Sequence, residues 1–304
     1  MNVLTASAVG LPLDLATLVH AVGVPLTAAE LVTRLRAPAV DRACFRLTFA
    51  DGRVLKGRQV ETLEQAERLQ ALTARLDRRH FPAVLERHGR AFMTEWIEGT
   101  PLHHRRWTRR LLEECGGVHA AVHRLAVETA PRWRRRHGRW QTRMTAALGV
   151  LVDAARIDRG AARRAEGLAS RFAPPAVAVG MCHGDLCAEN IVVNRDGRVV
   201  VVDNDSLAVD AWGYDLARTW YRWPMTDDQR RHYMAGYGRA AHLEDIEAHF
   251  IHWAITVLVE AAAFRVRVGV DGADRPLSAL RRVLRDPVRG ARFPGLASAG
   301  AHGP

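Results

Sequence analysis

Alternating apolar and polar positions in the first hundred residues predict a small antiparallel sheet. Residues 45–49 alternate, an Asp-Gly pair follows, and residues 54–58 return, which is the pattern of a β-hairpin. Residues 81–85 and 91–96 form two more apolar runs of strand length. Leucines in the segment before residue 31 recur at helical spacing. This part of the chain is therefore predicted to be a helix followed by four or more strands.

Apolar positions three and four residues apart predict helices in much of the remaining chain. Residues 61–76 form a helix with an apolar face made of Leu63, Ala66, Leu69 and Leu76. Residues 103–129 and 227–268 are also predicted to be helical. Residues 250–259 are apolar on nearly every side, which indicates a buried helix. The tail from Gly290 is rich in Gly, Ala and Pro, and is expected to fray.

A second predicted hairpin, residues 191–202, is flanked by polar side chains that can carry chemistry. Two β-branched runs surround an Asp-Gly turn signal at residues 196–197. Because a hairpin brings its two ends to the same edge, Asn190 and Asp203 are expected to lie close together, with Asp185 a short loop away. Such oxygen ligands suit a divalent cation beside phosphate, and leave a carboxylate free to take a proton.

Four short motifs occur in order around this hairpin: His183-Gly184-Asp185-Leu186, Asn190-Ile191, Val202-Asp203 and Asp215-Leu216-Ala217. The series resembles the catalytic centre of the aminoglycoside phosphotransferase and choline kinase family, whose kinase-fold members phosphorylate hydroxyls of small molecules. The resemblance implies that Asp185 is the catalytic base and that Asn190 and Asp203 bind Mg²⁺. It also implies that His183 orients the loop and that Asp215 braces it.

The same resemblance implies nucleotide-binding residues in the N-terminal part. Lys56, the only lysine in the chain, occupies the strand position whose ammonium contacts the α- and β-phosphates of ATP or GTP. The following helix normally supplies a glutamate that fixes this lysine. Glu67 and Glu64 are the candidates, and Glu67 is preferred because it lies nearer the apolar face. The backbone of Glu95 and Ile97 is expected to meet the adenine edge.

The chain departs from the kinase pattern in its phosphate loop. Residues 37–44, which precede the Lys56 hairpin, contain no glycine, whereas protein kinases use a Gly-rich loop there. This keeps open a catalytically silent, kinase-like binding module. Two other acids have open roles. Asp205 is expected to assist magnesium, touch substrate or cap a turn. Glu260 is expected to face the acceptor pocket or to pair with a residue such as Arg265.

Charge is distributed unevenly along the sequence. The formal net charge is +11, and residues 101–175 hold 16 arginines against six acidic residues. A polycationic aminoglycoside would meet repulsion there, so a neutral or anionic acceptor is favoured on Coulombic grounds. The alternative explanation of this excess of arginines is a general preference for arginine in the chain, which would enlarge the positive charge of an ordinary solvated face. Nucleic-acid binding through residues 101–175 is a further, less favoured alternative.

The predicted fold is α+β and protein-kinase-like with two lobes. Residues 1–96 form the small, sheet-containing lobe, residues 97–102 the hinge, and residues 103–304 the mostly helical lobe with the catalytic hairpin and the acceptor-substrate helices. The interval between Asp203 and Asp215 has no room for the activation segment of a protein kinase. The acceptor is therefore expected to be a small molecule, while ATP versus GTP and the oligomeric state stay open.

The distribution of cysteines and the hydropathy of the sequence indicate the cellular compartment in which the protein is expected. The four cysteines are scattered without a C-x-x-C pair, so reduced thiols in the cytoplasm are expected. A metal site at Cys182, His183 and Cys187 is less favoured than apolar packing beside the loop. No signal peptide and no membrane-spanning run is predicted.

Overall fold

The computed structural model describes residues 10–37, 40–125, 140–238 and 244–292. The chain forms two compact units. The first contains Met1–Pro101 and Ile191–Leu207, and the second contains Leu102–Asn190 and Ala208–Pro304. The chain therefore leaves the second unit at the start of the predicted catalytic hairpin and returns to it a few residues after the hairpin ends.

The first unit is built on an antiparallel sheet with the strand order β1-β2-β3-β5-β4. Its strands are β1 (Leu26–Ala37), β2 (Val40–Phe49), β3 (Val54–Gln59), β4 (Val84–His88) and β5 (Ala91–Glu95). Because alternate side chains of a strand share one face, the sheet presents a continuous apolar surface to helix α1 (Leu13–Ala21). The main members of this core are Leu15, Leu18, Val19, Phe45, Leu47, Phe49, Leu55 and Met93.

Helix α2 (Leu63–Thr73) follows the lysine-bearing strand β3 in the first unit. It begins after Thr62, whose side chain accepts a hydrogen bond from the Gln65 amide at 3.1 Å, the usual arrangement of an N-cap. Its buried face carries Gln65, Ala66, Leu69 and Leu72. The apolar positions predicted from the sequence are thus mostly the buried ones, and Gln65 is a buried polar side chain among them.

A second, smaller sheet of the first unit contains the predicted catalytic hairpin. Its order is β6 (Gly99–Pro101), β8 (Ile191–Asn194) and β9 (Val199–Val201). Gly197 in the connecting turn has φ +77°, a conformation that glycine adopts without strain. Antiparallel pairing of β6 with β8 explains why residues 191–207 group with the first unit. The sequence had assigned residues 103–304 to one lobe, and it had not predicted a strand within the proposed hinge.

The second unit is mostly helical, with one two-stranded sheet of β7 (Val179–Cys182) and β10 (Ala208–Ala211). Helix α9 (Phe250–Val268) has Ile255, Leu258 and Val259 fully buried, so the predicted buried helix is confirmed. The other helices are α3 (Arg109–Arg124), α4 (Trp140–Asp153), α5 (Arg159–Arg171), α6 (Trp212–Arg222), α7 (Asp227–Gly238), α8 (Glu244–Ala248), α10 (Asp274–Arg285) and α11 (Pro287–Gly290).

Helices α3 and α7 approach each other at backbone contact because each has a glycine at the crossing. A Cβ atom added to Gly116 would lie 2.0 Å from the carbonyl oxygen of Tyr233, and one added to Gly236 would lie 1.9 Å from that of Glu113. Neither neighbour is a side chain that can rotate away. The two helices can therefore approach this closely only because Gly116 and Gly236 have no Cβ atom.

We expect the Gly236→Ala substitution to lower the free energy of unfolding by about 2–3 kcal/mol, because the new methyl group would force the two helices apart. Urea denaturation measures this change. Gly117→Ala is the matched control, since its Cβ would lie 3.9 Å from the nearest atom. That variant is expected to be neutral or up to about 1 kcal/mol more stable, because alanine favours helix. Equal losses of unfolding free energy in Gly236→Ala and Gly117→Ala would contradict the backbone contact at the helix crossing.

Most predicted elements are confirmed, and two are displaced for local reasons. The strand predicted at residues 81–85 begins only at Val84, because Pro82 has no amide hydrogen to donate to a ladder. The predicted phosphate loop, residues 37–44, is largely strand, since Ala37 already pairs with Val40. The basic residues 130–139 and the tail beyond residue 292 lie outside the described residues.

The α+β class and the antiparallel sheet of the N-terminal part are confirmed. Within the described residues, no helix has both the length and the hydropathy to cross a bilayer. All four cysteines lie in the described part of the chain, where they are buried and form no disulfide.

Candidate active site

The loop after β7 carries Asp185, and its backbone is held by one buried carboxylate. The amides of His183 and Gly184 donate to the two oxygens of Asp215, each at 2.7 Å. Gly184 has φ +78°, which favours glycine at this bend. The His183 ring accepts a hydrogen bond from the Asp185 amide at Nδ1, at 3.2 Å. The backbone that leads to Asp185 is thus fixed by Asp215 and by the His183 ring.

Asp215 is itself the centre of a buried polar network. His119 and His123, one turn apart on α3, donate from Nε2 to Asp215 Oδ2 at 3.0 and 3.1 Å. Their Nδ1 atoms form hydrogen bonds with the hydroxyls of Tyr233 and Tyr237 on α7, each at 2.6 Å. A carboxylate only accepts, so each Nε2 carries a proton. Both imidazoles therefore donate to one carboxylate.

The pKa values of Asp215, His123 and the two tyrosines fix the charges of these four groups near neutral pH. Burial opposes charge on Asp215, but its electrostatic interactions and hydrogen bonds with His119 and His123 hold its pKa well below the usual range. Burial, with a contribution from His119, lowers the pKa of His123 to about 4. Burial also raises the pKa of Tyr233 and Tyr237 well above the ordinary value. Near neutral pH, Asp215 is therefore negatively charged, and His123, Tyr233 and Tyr237 are neutral.

Among the described residues, His119, His123 and Asp215 are the one group with the spacing of metal ligands. The hydrogen bonds already satisfy both ring nitrogens of each histidine. No metal is needed to explain the cluster. Cys182, His183 and Cys187 do not form such a group within the described residues.

The lowered pKa of His123 predicts an acid-sensitive fold. The unfolded histidine has a pKa near 6.5, so between pH 6.5 and 4 the unfolded chain binds a proton that the folded chain does not. Stability present above pH 6.5 is therefore lost on acidification, by about 2 kcal/mol between pH 7 and pH 5 from this group. Urea denaturation across this range should show a shallower pH slope for His123→Gln than for wild type. The exposed His20→Gln variant should keep the wild-type slope, and parallel slopes in all three would refute the assignment.

Asp185 has partners on both carboxylate oxygens. Its Oδ2 lies 3.1 Å from Asn190 Nδ2, which also donates to the Asp185 carbonyl at 2.8 Å. Its Oδ1 accepts from Arg218 Nη2 at 3.2 Å and lies 3.6 Å from Arg222 Nε. The Asn190 amide nitrogen is thus directed at Asp185, and in the described part of the chain the amide oxygen accepts no hydrogen bond. The second unit therefore offers a fixed carboxylate and an available carboxamide oxygen.

The first unit brings together Lys56 and the residues that follow β9. Lys56 Nζ donates to the carbonyl of Val202. Two residues along the same face of β3, Arg58 forms ion pairs with Asp205 and, at 3.4 Å, with Asp203. Burial disfavours the charge on Arg58, but these two carboxylates outweigh it and raise the pKa of the guanidinium. Asp205 is thus a buried partner of Arg58, a role that the sequence had not suggested.

Helix α2 meets this group with an amide instead of a glutamate. Gln65 Nε2 donates to the Asp205 carbonyl at 3.3 Å. Among the described residues, neither Glu67 nor Glu64 forms an ion pair with Lys56, and Glu64 is exposed. The helix turns Gln65 inward together with Ala66 and Leu69, so the two glutamates lie off its buried face. The expected glutamate–lysine pair is replaced by the Lys56–carbonyl bond.

Glu260 is paired, but with a different residue from the one predicted. Its Oε2 accepts from Arg143 Nη2 and from the Tyr214 hydroxyl, each at 2.6 Å. Arg265 donates instead to the Ala261 carbonyl at 3.0 Å. Residues five apart on a helix do not share a face, whereas α4 packs on α9 and brings Arg143 to Glu260. The Arg265 expectation was therefore wrong.

The two residues assigned to the adenine edge lie at the end of β5. Glu95 is its last residue, with an exposed side chain, and Ile97 follows in an irregular segment before β6. Trp96, between them, donates from its amide to the Val54 carbonyl at 3.3 Å. The adenine contact itself stays a prediction.

Several residues of the site were not found from the sequence: Arg58, His119, Tyr214, Arg218, Arg222, Tyr233 and Tyr237. Most of them belong to pairs of polar residues that lie four positions apart in the sequence. Such spacing places side chains on one helix face, as in the histidine pair of α3 and the tyrosine pair of α7. Arg58 had a different signal, since it shares a strand face with Lys56.

The fold and this set of residues define the class of kinase-like phosphotransferases. The family model described as the phosphotransferase enzyme family matches residues 14–249, and the chain belongs to this family. Its members are kinase-like enzymes that act on small molecules. No curated protein sequence matches the chain significantly.

Solved structures agree with the fold. The macrolide 2′-phosphotransferase MphH from Brachybacterium faecium is 16% identical with a TM-score of 0.61, over 91% of this chain and 99% of that one. Choline kinase from Cryptosporidium parvum is 11% identical with a TM-score of 0.62, over 86% and 89% of the two chains. The spectinomycin phosphotransferase APH(9)-Ia, in complex with ADP and spectinomycin, is 12% identical with a TM-score of 0.57, over 92% and 94%. Identities this low establish the fold alone.

Proposed function

We propose that this protein transfers the γ-phosphoryl group of ATP or GTP to a hydroxyl of a small molecule. The observation that carries the proposal is the environment of Asp185. A carboxylate placed by Asn190 on one oxygen and by Arg218 on the other, on a backbone fixed by Asp215, is a preorganised proton acceptor. Hydroxyl attack at phosphorus is the reaction for which the family motifs are arranged in this order.

Asp185 accepts the proton as the acceptor oxygen bonds to the γ-phosphorus and the bond from phosphorus to the β–γ bridging oxygen breaks. The carboxylate mainly orients the hydroxyl, because phosphoryl transfer depends on positioning and charge neutralisation. His183 and Asp215 hold the loop and touch no reacting atom. Lys56 steadies the α- and β-phosphates, and the backbone of Glu95 and Ile97 meets the base.

The residues proposed as magnesium ligands are chemically suited to that ion. Asn190 offers an amide oxygen that accepts no hydrogen bond within the described residues, and Asp203 offers a carboxylate. Mg²⁺ prefers such oxygen donors and binds through a few protein ligands together with substrate phosphates. Bound there, the ion would neutralise charge on the phosphate oxygens. The ADP in the spectinomycin phosphotransferase structure favours ATP over GTP.

The acceptor is proposed to be neutral or anionic. Residues 101–175 contain 16 arginines against six acidic residues, and Arg218 and Arg222 stand beside Asp185. Both features repel a polycation. The structural relatives do not select among acceptors, because their names include molecules as different as a macrolide, choline and spectinomycin.

The test is phosphoryl transfer from radiolabelled ATP or GTP, with Mg²⁺, to pooled hydroxylated compounds that include aminoglycosides, macrolides, nucleosides and sugar acids. Transfer counts only when Asp185→Ala abolishes it, which excludes a contaminating kinase. Labelled product from one pool then identifies the acceptor class. Binding of Mg-ATP without transfer to any pool would favour the silent binding module. Absence of nucleotide binding would refute the roles given to Lys56 and Asp203.

A further inference from the structure

Two arginines on helix α6 stand beside the proposed catalytic base. Arg218 and Arg222 are four residues apart and so share a helix face. Arg218 Nη2 lies 3.2 Å from Asp185 Oδ1, and Arg222 Nε lies 3.6 Å from the same oxygen. The second distance is an ion pair but not a hydrogen bond. One carboxylate oxygen therefore faces two guanidinium groups.

Arg222 has hydrogen-bonding capacity that no group in the described part of the chain uses. Its one hydrogen bond within the described residues runs from Nη2 to the Cys187 sulfur at 3.6 Å. Burial and the charge of Asp185 raise the pKa of the Cys187 thiol to about 12, so the thiol is neutral and does not balance the arginine. The Arg222 side chain is 30% exposed. A ligand can therefore reach donors on this guanidinium.

Charged groups further along this face of α6 do not cancel the excess positive charge beside Asp185. Tyr214, one turn before Arg218, interacts with it and donates to Glu260. Burial and the Glu260 charge raise the pKa of Tyr214 to about 12, so the phenol is neutral. Glu260 is itself paired with Arg143 at 2.6 Å. Among the described residues, one positive charge beside Asp185 is left without a buried partner, and the exposed Glu189 nearby is solvated and screened.

We propose that Arg222, supported by Arg218, binds an oxyanion of the acceptor, and that the acceptor is therefore a hydroxylated carboxylate or phosphate ester. The proposal rests on the transferase function proposed above. A guanidinium binds either oxyanion with two parallel hydrogen bonds. An anion held at Arg222 would leave the hydroxyl of the same molecule near Asp185. Arg218 acts as a positioning residue, because its hydrogen bond to Asp185 is already made.

The test uses acceptors in matched sets that differ only in charge: glycerol, glycerate and glycerol phosphate, and glucose, gluconate and glucose 6-phosphate. Wild type is expected to phosphorylate an anionic member in preference to its neutral parent. Arg222→Gln is expected to raise the KM of that anion by about 10- to 100-fold, the range of a lost charge-assisted contact. The KM of Mg-ATP should stay near wild type. Arg231→Gln, on the exposed side of α7, is the control and should change neither constant.

The outcomes separate this proposal from the function on which it rests. Preference for neutral members, or equal KM values in wild type and Arg222→Gln, would refute the oxyanion site and leave the proposed transferase function unaffected.

If no compound is phosphorylated, the transferase proposal fails. Calorimetric titration with inorganic phosphate in saturating Mg-ADP then tests the oxyanion site independently. Heat that disappears in Arg222→Gln but not in Arg231→Gln would support it. Heat that is equal in all three proteins, or absent, would refute it. Each matched set contains one carboxylate and one phosphate ester. The one with the lower KM shows which oxyanion the site prefers.

Discussion

Replacing Asp185 with asparagine is expected to reduce kcat by about 10²- to 10⁴-fold, the range of a lost general base. Asparagine has nearly the same shape, but its amide cannot take a proton from the acceptor. The KM of Mg-ATP should change little, since the proposed nucleotide contacts come from other residues. Steady-state kinetics with the acceptor found in the pooled assay measures both constants.

Stability separates this effect from misfolding. Asparagine replaces one of the two accepting oxygens with an NH2 group, so Asp185→Asn keeps the hydrogen bond from Asn190 or the one from Arg218 and is expected to lose about 1–2 kcal/mol of unfolding free energy. That loss leaves a folded enzyme for the kinetic measurement. Asp228→Asn, an exposed acid on α7, is the matched control and should keep wild-type kcat. A kcat within a few-fold of wild type in Asp185→Asn would show that another group receives the proton.

The largest effect on stability is expected for Asp215→Ala. The substitution removes the acceptor of four hydrogen bonds, two from loop amides and two from imidazoles. All four donors are buried and would be left without a partner. Breaking a buried charged network in this way costs about 3–5 kcal/mol, a large fraction of the stability of a typical domain. Urea denaturation of purified protein measures the loss.

A graded series keeps this prediction testable if Asp215→Ala fails to fold. Asp215→Asn retains one oxygen acceptor and should lose less stability than alanine. Tyr237→Phe removes only the hydroxyl that donates to His123 and should cost about 1 kcal/mol. Asp228→Ala, which breaks an exposed ion pair, should cost less still. A loss below about 1 kcal/mol in Asp215→Ala would mean that the network does not stabilise the loop.

The sequence was sufficient for features that depend on local order. The hairpin of residues 191–201 followed from two β-branched runs and a turn signal, because a short closed loop needs no information from elsewhere in the chain. The spacing of Asp185 and Asn190 predicted that they work together, and within the second unit Asn190 does donate to Asp185. The family, the α+β class and the buried helix at residues 250–259 were accessible for the same reason.

Only the tertiary structure decided which side chains meet across elements that are distant in sequence. Helical spacing places His119 and His123 on one face of α3, but it does not show that α7 brings Tyr233 and Tyr237 to them through a crossing of two glycines. Propensity did not distinguish Glu67 from Gln65 as the inward residue of α2, nor Arg143 from Arg265 as the partner of Glu260. Partner choice depends on the rotation and approach of packed elements, which hydrophobic periodicity fixes only coarsely. The excess charge at Arg222 became visible for the same reason, once the neutral thiol and the single carboxylate beside it were known.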